Sequence, residues 1–186
     1  MASFIVEGGH RLSGTITPQG AKNEALQILC ATLLTSEEVV VDNIPDILDV
    51  NNLIQLLAES GVEVNKLSPN KYSFKAKELN ENFLASQEYL LRCRSLRGSI
   101  MLTGPLLARL GRAVIPQPGG DKIGRRKLDT HFLGMRKLGA ELHYNDQTGA
   151  CEIVADKLAG TYILLDEASV TGTANVVMAA VLAEGK

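Results

Sequence analysis

In the first half of the chain, stretches with the apolar spacing of a helix alternate with stretches that have the apolar pattern of a strand. Together they predict a mixed α/β protein. Apolar residues recur at helical spacing over 23–34 and 49–60, and a short apolar run at 39–41 predicts a buried strand between the two helices. Gly61 follows the second helix directly, in the position where glycine most often ends a helix. Alternating residues over 62–74, interrupted by a Ser-Pro-Asn turn, then predict a β-hairpin.

The same order of elements returns further along, so we expect an internal repeat. A second set of helix, strand, helix, strand and strand is predicted at 94–110, 113–115, 129–138, 141–143 and 150–154. Gly139 follows Gly61 by 78 residues and lies at the same helix-to-strand junction. A third copy begins at 161–165 and breaks off after a helix at 173–182. We therefore expect a piece of a longer protein, with repeats of about 21–79, 87–156 and a partial 159–186.

Two stretches depart from this regular order. Residues 1–20 make a turn-rich arm, in which short strands are predicted at 4–6 and 12–16. Pro105 lies within the predicted helix 94–110, where it either kinks the helix or belongs to the first turn of a new one.

The composition is that of an ordinary globular protein and argues against some function classes. The 186 residues are 45% hydrophobic and 22% charged, and the formal net charge of -2 gives no support for a nucleic-acid or membrane-surface partner. No apolar run reaches the length of a membrane span, and no signal-peptide pattern is present. Cys30, Cys93 and Cys151 are scattered without metal-ligand spacing, which predicts reduced, buried thiols in a cytoplasmic protein.

Most candidate functional residues lie between the predicted strand 113–115 and the helix 129–138. Three glycines allow a ligand to approach the backbone closely, and the surrounding cations favour an anionic ligand, most simply a phosphate group. Asp121 is a candidate proton donor there. A solvated surface turn without function is the alternative that these residues alone leave open. The chemistry-bearing residues are Gly119, Gly120, Asp121, Lys122, Gly124, Arg125, Arg126, Lys127 and Asp129.

Five short blocks stand out: Gly-Ala-Lys-Asn at 20–23, Arg-Gly-Ser-Ile at 97–100, Gly-Pro-Leu-Leu-Ala-Arg at 104–109, Pro-Gly-Gly-Asp-Lys-Ile-Gly at 118–124 and Leu-Ala-Glu-Gly at 182–185. Each block alone is a weak signal. In combination they resemble the family of UDP-N-acetylglucosamine enolpyruvyl transferases (1-carboxyvinyltransferases). The resemblance covers the whole chain, which would correspond to the N-terminal part of such an enzyme.

The resemblance implies a fold and a reaction. Members of the family are inside-out α/β barrels of βαβαββ units, and their first residues, here 1–20, belong to a second domain. They transfer enolpyruvyl from phosphoenolpyruvate to the 3'-hydroxyl of UDP-N-acetylglucosamine, with release of phosphate, in the first committed step of peptidoglycan synthesis. They use no metal or organic cofactor. We therefore expect an α/β fold of this type that stops within its third repeat. Residues 1–186 should be inactive alone, because the family's catalytic base lies in the other domain.

The resemblance also implies roles for individual residues. Lys22 matches the family's lysine at phosphoenolpyruvate, and Asn23 matches its substrate-contacting neighbour. Lys22 and Asp121 match catalytic positions. Arg126 matches the loop arginine that contacts substrate phosphate, and Arg97 matches a further arginine at the nucleotide-sugar and phosphate site. The uridine and the nucleotide sugar are expected at two further segments, which are Lys127, Leu128, Asp129, Thr130 and His131, and Glu167, Ala168, Ser169 and Val170.

Three positions leave questions open. Most members have a cysteine where this chain has Asp121. A carboxylic acid can also donate a proton, but it cannot form the thioether through which fosfomycin inactivates the family. Glu167 stands where a lysine is common, which leaves its share in nucleotide binding open. A packed or capping side chain at the start of an apolar helix is the alternative that stays open for His131.

Two alternative functions are also open. The shikimate-pathway enolpyruvyl transferases resemble this family in fold and chemistry, but their opening segment usually reads Gly-Ser-Lys-Ser, unlike residues 20–23 here. The loop at 119–121 also fits them badly. The second alternative is a non-catalytic module that only holds the nucleotide sugar, because half of the expected cleft would lie outside this chain.

Overall fold

The computed structural model describes residues 3–116 and 128–186. Within these ranges the chain forms two three-stranded sheets and a group of helices that share one hydrophobic core. In this described part, no helix has both the length and the apolar character needed to cross a membrane.

The first repeat contains the five elements that the apolar pattern predicts: α1 (Lys22–Ala31), β1 (Glu38–Val41), α2 (Leu48–Glu59), β2 (Glu63–Ser68) and β3 (Lys71–Lys75). A 3-10 turn at Thr32–Leu34 extends α1. The sheet has the order β1-β3-β2, so the last strand is central and antiparallel to both neighbours. Gly61 has a φ of 97°, which few residues except glycine adopt, and this conformation turns the chain from α2 into β2.

The prediction that residues 39–41 form a buried strand is only partly correct. The strand exists, but it lies at an edge of its sheet, and Val40 is 51% exposed. Successive side chains of a strand point to opposite faces, so only Val39 and Val41 turn toward the core. A run of three valines does not reveal whether one face or both faces of the strand are covered.

The second repeat follows the same plan. After two helices that precede it, α3 (Glu81–Leu84) and α4 (Gln87–Ser95), it consists of α5 (Thr103–Leu110), β4 (Arg112–Pro116), α6 (Asp129–Lys137), β5 (Glu141–Asn145) and β6 (Ala150–Val154). Its sheet order, β4-β6-β5, matches that of the first repeat, and its strands pair in the same antiparallel way. The two repeats therefore share one order of elements and one pattern of strand pairing, while the repeat bounds of about 21–79, 87–156 and 159–186 stay a prediction.

The predicted helix 94–110 is wrong as one continuous element. The backbone is extended at Leu96, a 3-10 helix follows at Arg97–Leu102, and α5 begins at Thr103. Pro105 lies in the first turn of α5, where its missing N–H costs no hydrogen bond. This is the second of the two alternatives that the sequence left open.

The segment between the two sheets of the repeats, residues 80–95, contains two helices, α3 and α4. Asn80 and Ser86 cap α3 and α4 by accepting hydrogen bonds from Phe83 N at 3.1 Å and Tyr89 N at 3.1 Å. Such caps satisfy backbone donors that a helix leaves unpaired, so these two polar residues begin helices rather than a loop.

The strands predicted in the N-terminal arm do not form among the described residues 3–20. Phe4, Ile5 and Val6 are between 87% and 94% exposed and pair with no strand of the described chain. Residues 161–165 likewise form no strand. A β-strand needs a neighbour to satisfy its backbone groups, so apolar alternation alone does not create one. The assignment of residues 1–20 to a second domain stays a prediction.

The third repeat contributes one helix, α7 (Val170–Ala180), which lies against both α5 and α6. Two glycines allow the close approach. A side-chain carbon at Gly104 would lie 2.3 Å from Asn175 O, and one at Gly134 would lie 2.0 Å from Cγ2 of Val176. These contacts set the spacing of the helices that carry the candidate site.

The three cysteines are free and buried, as the sequence predicts. Burial raises the pKa of the Cys93 thiol to about 11 and raises that of Cys30 further. Both thiols therefore remain protonated and unreactive near neutral pH.

Candidate functional site

Two segments assigned to the nucleotide sugar lie next to each other in the structure. The Thr130 hydroxyl donates to Oε1 of Glu167 over 3.2 Å, which joins the start of α6 to the segment before α7. Ser169 caps α7 by accepting from Gly172 N at 3.1 Å. A side-chain carbon at Gly172 would lie 2.9 Å from Cγ2 of Thr130, so the first turns of the two helices are in close contact.

His131 lies behind this contact rather than on its surface. The residue is 3% exposed, and its Nδ1 lies 3.0 Å from Nδ2 of Asn175. Its Nε2 lies 3.4 Å from the Thr171 hydroxyl. Burial, together with the positive charge of Arg97, lowers the pKa of His131 to about 4, so the ring is neutral at neutral pH.

Arg97 connects this region to the first repeat. It is half-buried at the start of the 3-10 helix, near enough to His131 for its charge to act on the ring. The next residue, Gly98, lies against Leu26 of α1, where an added side-chain carbon would be 3.0 Å from Leu26 Cδ1. Lys22 precedes Leu26 by one helical turn on the same side of α1.

Lys22 itself is held in an ion pair. Its Nζ lies 2.6 Å from Oδ2 of Asp49 in the first turn of α2, and both side chains are close to half exposed. Asn23, the next residue of α1, is exposed. These two residues therefore lie in the first turn of α1, before its buried residues.

The remaining candidates fall into two groups. Asp121, Arg126 and Lys127 lie outside the described residues. Leu128 is half-buried directly before α6, whereas Asp129, Ala168 and Val170 are exposed around the contact between α6 and α7.

Two residues that the sequence reasoning missed complete the cluster. Asn175 is fully buried within α7, and Thr171 lies in the first turn of the same helix. Asn175 stands in the middle of an otherwise apolar run, and a buried amide needs hydrogen-bond partners. That position was the available signal, although the sequence does not identify the partners.

The described residues contain no cluster of three or more His, Cys, Asp or Glu side chains arranged to hold a metal ion. The described part of the site presents cations, amides and hydroxyls, together with the carboxylates of Asp49, Asp129 and Glu167. These groups suit recognition of anionic and hydroxylated ligands.

Residues 6–186 match the sequence model of one family, described as EPSP synthase (3-phosphoshikimate 1-carboxyvinyltransferase). The match spans nearly the whole chain, and the chain belongs to this family.

Curated relatives carry a more particular name. Over 185 residues the chain is 65% identical to the UDP-N-acetylglucosamine 1-carboxyvinyltransferase of Bacteroides thetaiotaomicron, covering 100% of this chain and 43% of that protein. It is 58% identical to the protein of the same name from Porphyromonas gingivalis, again over 43% of that protein. The Borreliella burgdorferi protein of that name is 43% identical. The chain thus spans less than half the length of these curated relatives.

Solved structures establish the fold. The enolpyruvyl transferase NikO from Streptomyces tendae superposes with a TM-score of 0.70 at 19% identity, covering 96% of this chain and 41% of its own. An EPSP synthase from Acinetobacter baumannii superposes with a TM-score of 0.67 at 18% identity, covering 92% and 39%. The expected enolpyruvyl transferase fold is confirmed.

Proposed function

We propose that this chain belongs to an enzyme that transfers enolpyruvyl from phosphoenolpyruvate to the 3'-hydroxyl of UDP-N-acetylglucosamine, in peptidoglycan synthesis. The observation that carries the proposal is the 65% identity, over the whole chain, to a relative named for this activity. A cytoplasmic location, these two substrates as partners, and a reaction without metal or organic cofactor belong to the same proposal. Nucleic acid and membrane are not among the proposed partners.

The nucleotide sugar is proposed to bind where α6 and α7 begin. The hydrogen bond between Thr130 and Glu167 supports this, because it brings the two assigned segments together. Exposed Asp129, Ala168 and Val170 surround that bond, while Ser169 holds the first turn of α7. In this arrangement Glu167 orders the site through Thr130, and buried His131 supports the segment from inside.

Phosphoenolpyruvate is proposed to bind near the start of α1, with Asn23 beside Lys22. Lys22, Arg97 and Arg126 supply the cations that phosphate needs. The ion pair between Lys22 and Asp49 does not oppose this role. An exposed pair contributes at most about 1 kcal/mol, so a phosphate dianion can take the place of the Asp49 carboxylate.

Asp121 is proposed to protonate the methylene carbon of phosphoenolpyruvate. An aspartic acid ordinarily has a pKa of about 3.9, too low for an acid at neutral pH. Substrate phosphate and carboxylate groups close to Asp121 would raise that pKa, whereas Arg126 would lower it. The donor role therefore requires both substrates in place, and activity should fall as pH rises above the pKa of Asp121 in the complex.

Turnover with two acceptors tests the proposal. The full-length protein should release phosphate from phosphoenolpyruvate in the presence of UDP-N-acetylglucosamine. Residues 1–186 alone should release none. Activity with shikimate 3-phosphate instead would favour the other reaction, for which the name of the matched family is the supporting observation. Binding of UDP-N-acetylglucosamine without turnover by the full-length protein would favour the non-catalytic module.

A further inference from the structure

Asn175 joins three elements through a single buried amide. Its Oδ1 accepts from Gly104 N of α5 at 2.7 Å, and its Nδ2 donates to Ile100 O of the 3-10 helix at 2.9 Å. Nδ2 also lies 3.0 Å from Nδ1 of His131 on α6. A backbone N–H can only donate and a backbone carbonyl can only accept, so these partners determine which end of the amide carries nitrogen.

This orientation determines the tautomer of His131. Nδ2 of Asn175 is a donor, so Nδ1 of His131 must accept, and the ring proton of a neutral imidazole then resides on Nε2. The low pKa of the buried ring agrees with this neutral form, since protonation of Nδ1 would set two donors against each other beside Arg97.

The tautomer of His131 determines the hydrogen-bonding role of an exposed residue, Thr171. Nε2–H of His131 donates to the Thr171 hydroxyl oxygen over 3.4 Å, so the hydroxyl hydrogen turns away from the ring. Thr171 is exposed in the first turn of α7, directly after the segment 167–170. The hydroxyl is therefore presented as a donor beside the proposed nucleotide-sugar site.

We infer that Thr171 is a binding residue for an oxygen atom of the nucleotide sugar, and that Asn175 and His131 are positioning residues that hold its hydroxyl as the donor. This inference rests on the proposed function, because it takes the ligand from it. A donor with a preset direction gives affinity for an acceptor oxygen without an ordering cost at the moment of binding.

The first experiment compares two variants of the full-length protein. Thr171→Val keeps the shape and loses the hydroxyl, so the KM for UDP-N-acetylglucosamine should rise about tenfold with kcat nearly unchanged. Thr171→Ser keeps a donor and should stay within about twofold of the parent. Equal KM values for the Val variant and the parent would overturn the inference. Inhibition by UDP alone locates the oxygen: an equal loss of UDP affinity in the Val variant assigns it to the nucleotide, and unchanged UDP affinity assigns it to the sugar.

The second experiment needs no substrate. It tests the relay, which is the hydrogen-bond chain from Asn175 through His131 to Thr171. In 15N-labelled protein, the His131 ring should show a protonated Nε2 and an unprotonated Nδ1 by long-range proton–nitrogen NMR correlation. Asn175→Asp replaces the donor by an acceptor, so Nδ1 should become protonated in that variant, and the KM should rise as it does for Thr171→Val. His131→Leu cannot accept a hydrogen bond from Asn175. His131→Asn can still accept one, so it is the matched control for His131→Leu.

The two readouts separate the possible failures. If the parent enzyme does not use UDP-N-acetylglucosamine, the proposed function fails, and the NMR tautomer still decides the relay. If the parent uses it and Nδ1 of His131 is protonated, the relay is wrong while the proposed function stands. A merely structural role of Asn175 would lower stability without raising the KM of the folded variant.

Discussion

The two complete repeats share one scaffold but connect its first strand to its second helix differently. In the first repeat, residues 42–47 make this connection in six residues, whereas in the second, residues 117–128 use twelve. The short connection is packed, since Ile44 is 3% exposed and its N–H donates to Asn70 O at 2.8 Å. Most of the glycine-rich cationic segment falls in the long one. One copy of a repeated unit thus has a short, packed connection, whereas the longer connection of the other copy contains residues of the proposed site.

The repeats differ again at one core position. Counting from Leu53 by the 78 residues that separate Gly61 and Gly139 leads to His131. Both side chains are buried, at 0% and 3% exposure. A leucine is stabilised there by burial alone, whereas a histidine needs partners, which α7 provides. Directional bonds cost more to arrange but hold the neighbouring surface in one geometry.

The largest expected effect is on kcat, and it tests whether the long connection carries a catalytic residue. Asp121→Asn should reduce kcat of the full-length enzyme by about a thousandfold, because an amide cannot donate the proton and general acids contribute roughly 10²–10⁴. Asp42→Asn, in the short connection, is the control and should leave kcat unchanged. Steady-state phosphate release measures both, and an active Asp121→Asn enzyme would end the assignment.

The same position also predicts drug sensitivity. The Asp121→Cys enzyme should remain active and form a covalent adduct with fosfomycin, because a thiolate is the stronger nucleophile near neutral pH. The parent enzyme should form none. Intact-protein mass spectrometry decides between these outcomes, and an adduct on the parent would contradict the prediction.

The next effect concerns the start of α1 in the first repeat. Lys22→Ala should lower kcat about a hundredfold, since a cation aimed at phosphate charge in the transition state contributes about 3 kcal/mol. The free energy of unfolding should change by less than about 1 kcal/mol, because the pair with Asp49 is exposed. Asp49→Asn removes the same pair and should retain most activity. Near-normal rates for Lys22→Ala would remove this residue from the site.

The buried histidine of the second repeat predicts a pH effect on stability. The folded state holds the pKa of His131 near 4, below its ordinary value of 6.5, so the unfolded chain binds this proton more readily. Stability should therefore fall as pH decreases from about 6.5 to about 4, by roughly 3 kcal/mol from this group. Urea unfolding at pH 7 and pH 4.5 measures the loss.

The His131→Asn variant should lack this part of the pH dependence. His143→Asn is the control, because His143 is exposed, and it should leave the dependence unchanged. An equal loss of stability in the parent and in His131→Asn would show that other groups cause it.

The smallest effect concerns the contact between the two repeats. Arg109 of α5 donates to Leu33 O at 2.8 Å and to Ala76 O at 3.0 Å, which ties the second repeat to the first. Arg109→Met keeps most of the side-chain packing but loses both bonds, so the free energy of unfolding should fall by about 1–3 kcal/mol. Arg136→Met, on exposed surface of α6, is the control. An unchanged denaturation midpoint for Arg109→Met would show that the two bonds do not stabilise the fold.

The order of elements within the repeats was predictable from the sequence because it depends on local patterns. Apolar spacing locates α1, α2 and α6, and Gly61 and Gly139 mark where helices end, since both facts involve residues within a few positions of each other. The five sequence blocks likewise identified the family, because they record residue identity directly.

Tertiary structure decided the rest, because it depends on residues that are far apart in the chain. Asn175 meets His131 across 44 positions, Lys22 meets Asp49 across 27, and Arg109 reaches Leu33 across 76. The strands predicted at 4–6 and 12–16 do not form because a strand requires a partner that local alternation does not specify. The sequence thus determined which elements and which residue types are present, while packing determined which polar groups pair. Those pairs set the protonation of His131 and the direction of the Thr171 hydroxyl, since hydrogen bonds depend on three-dimensional proximity rather than on spacing along the chain.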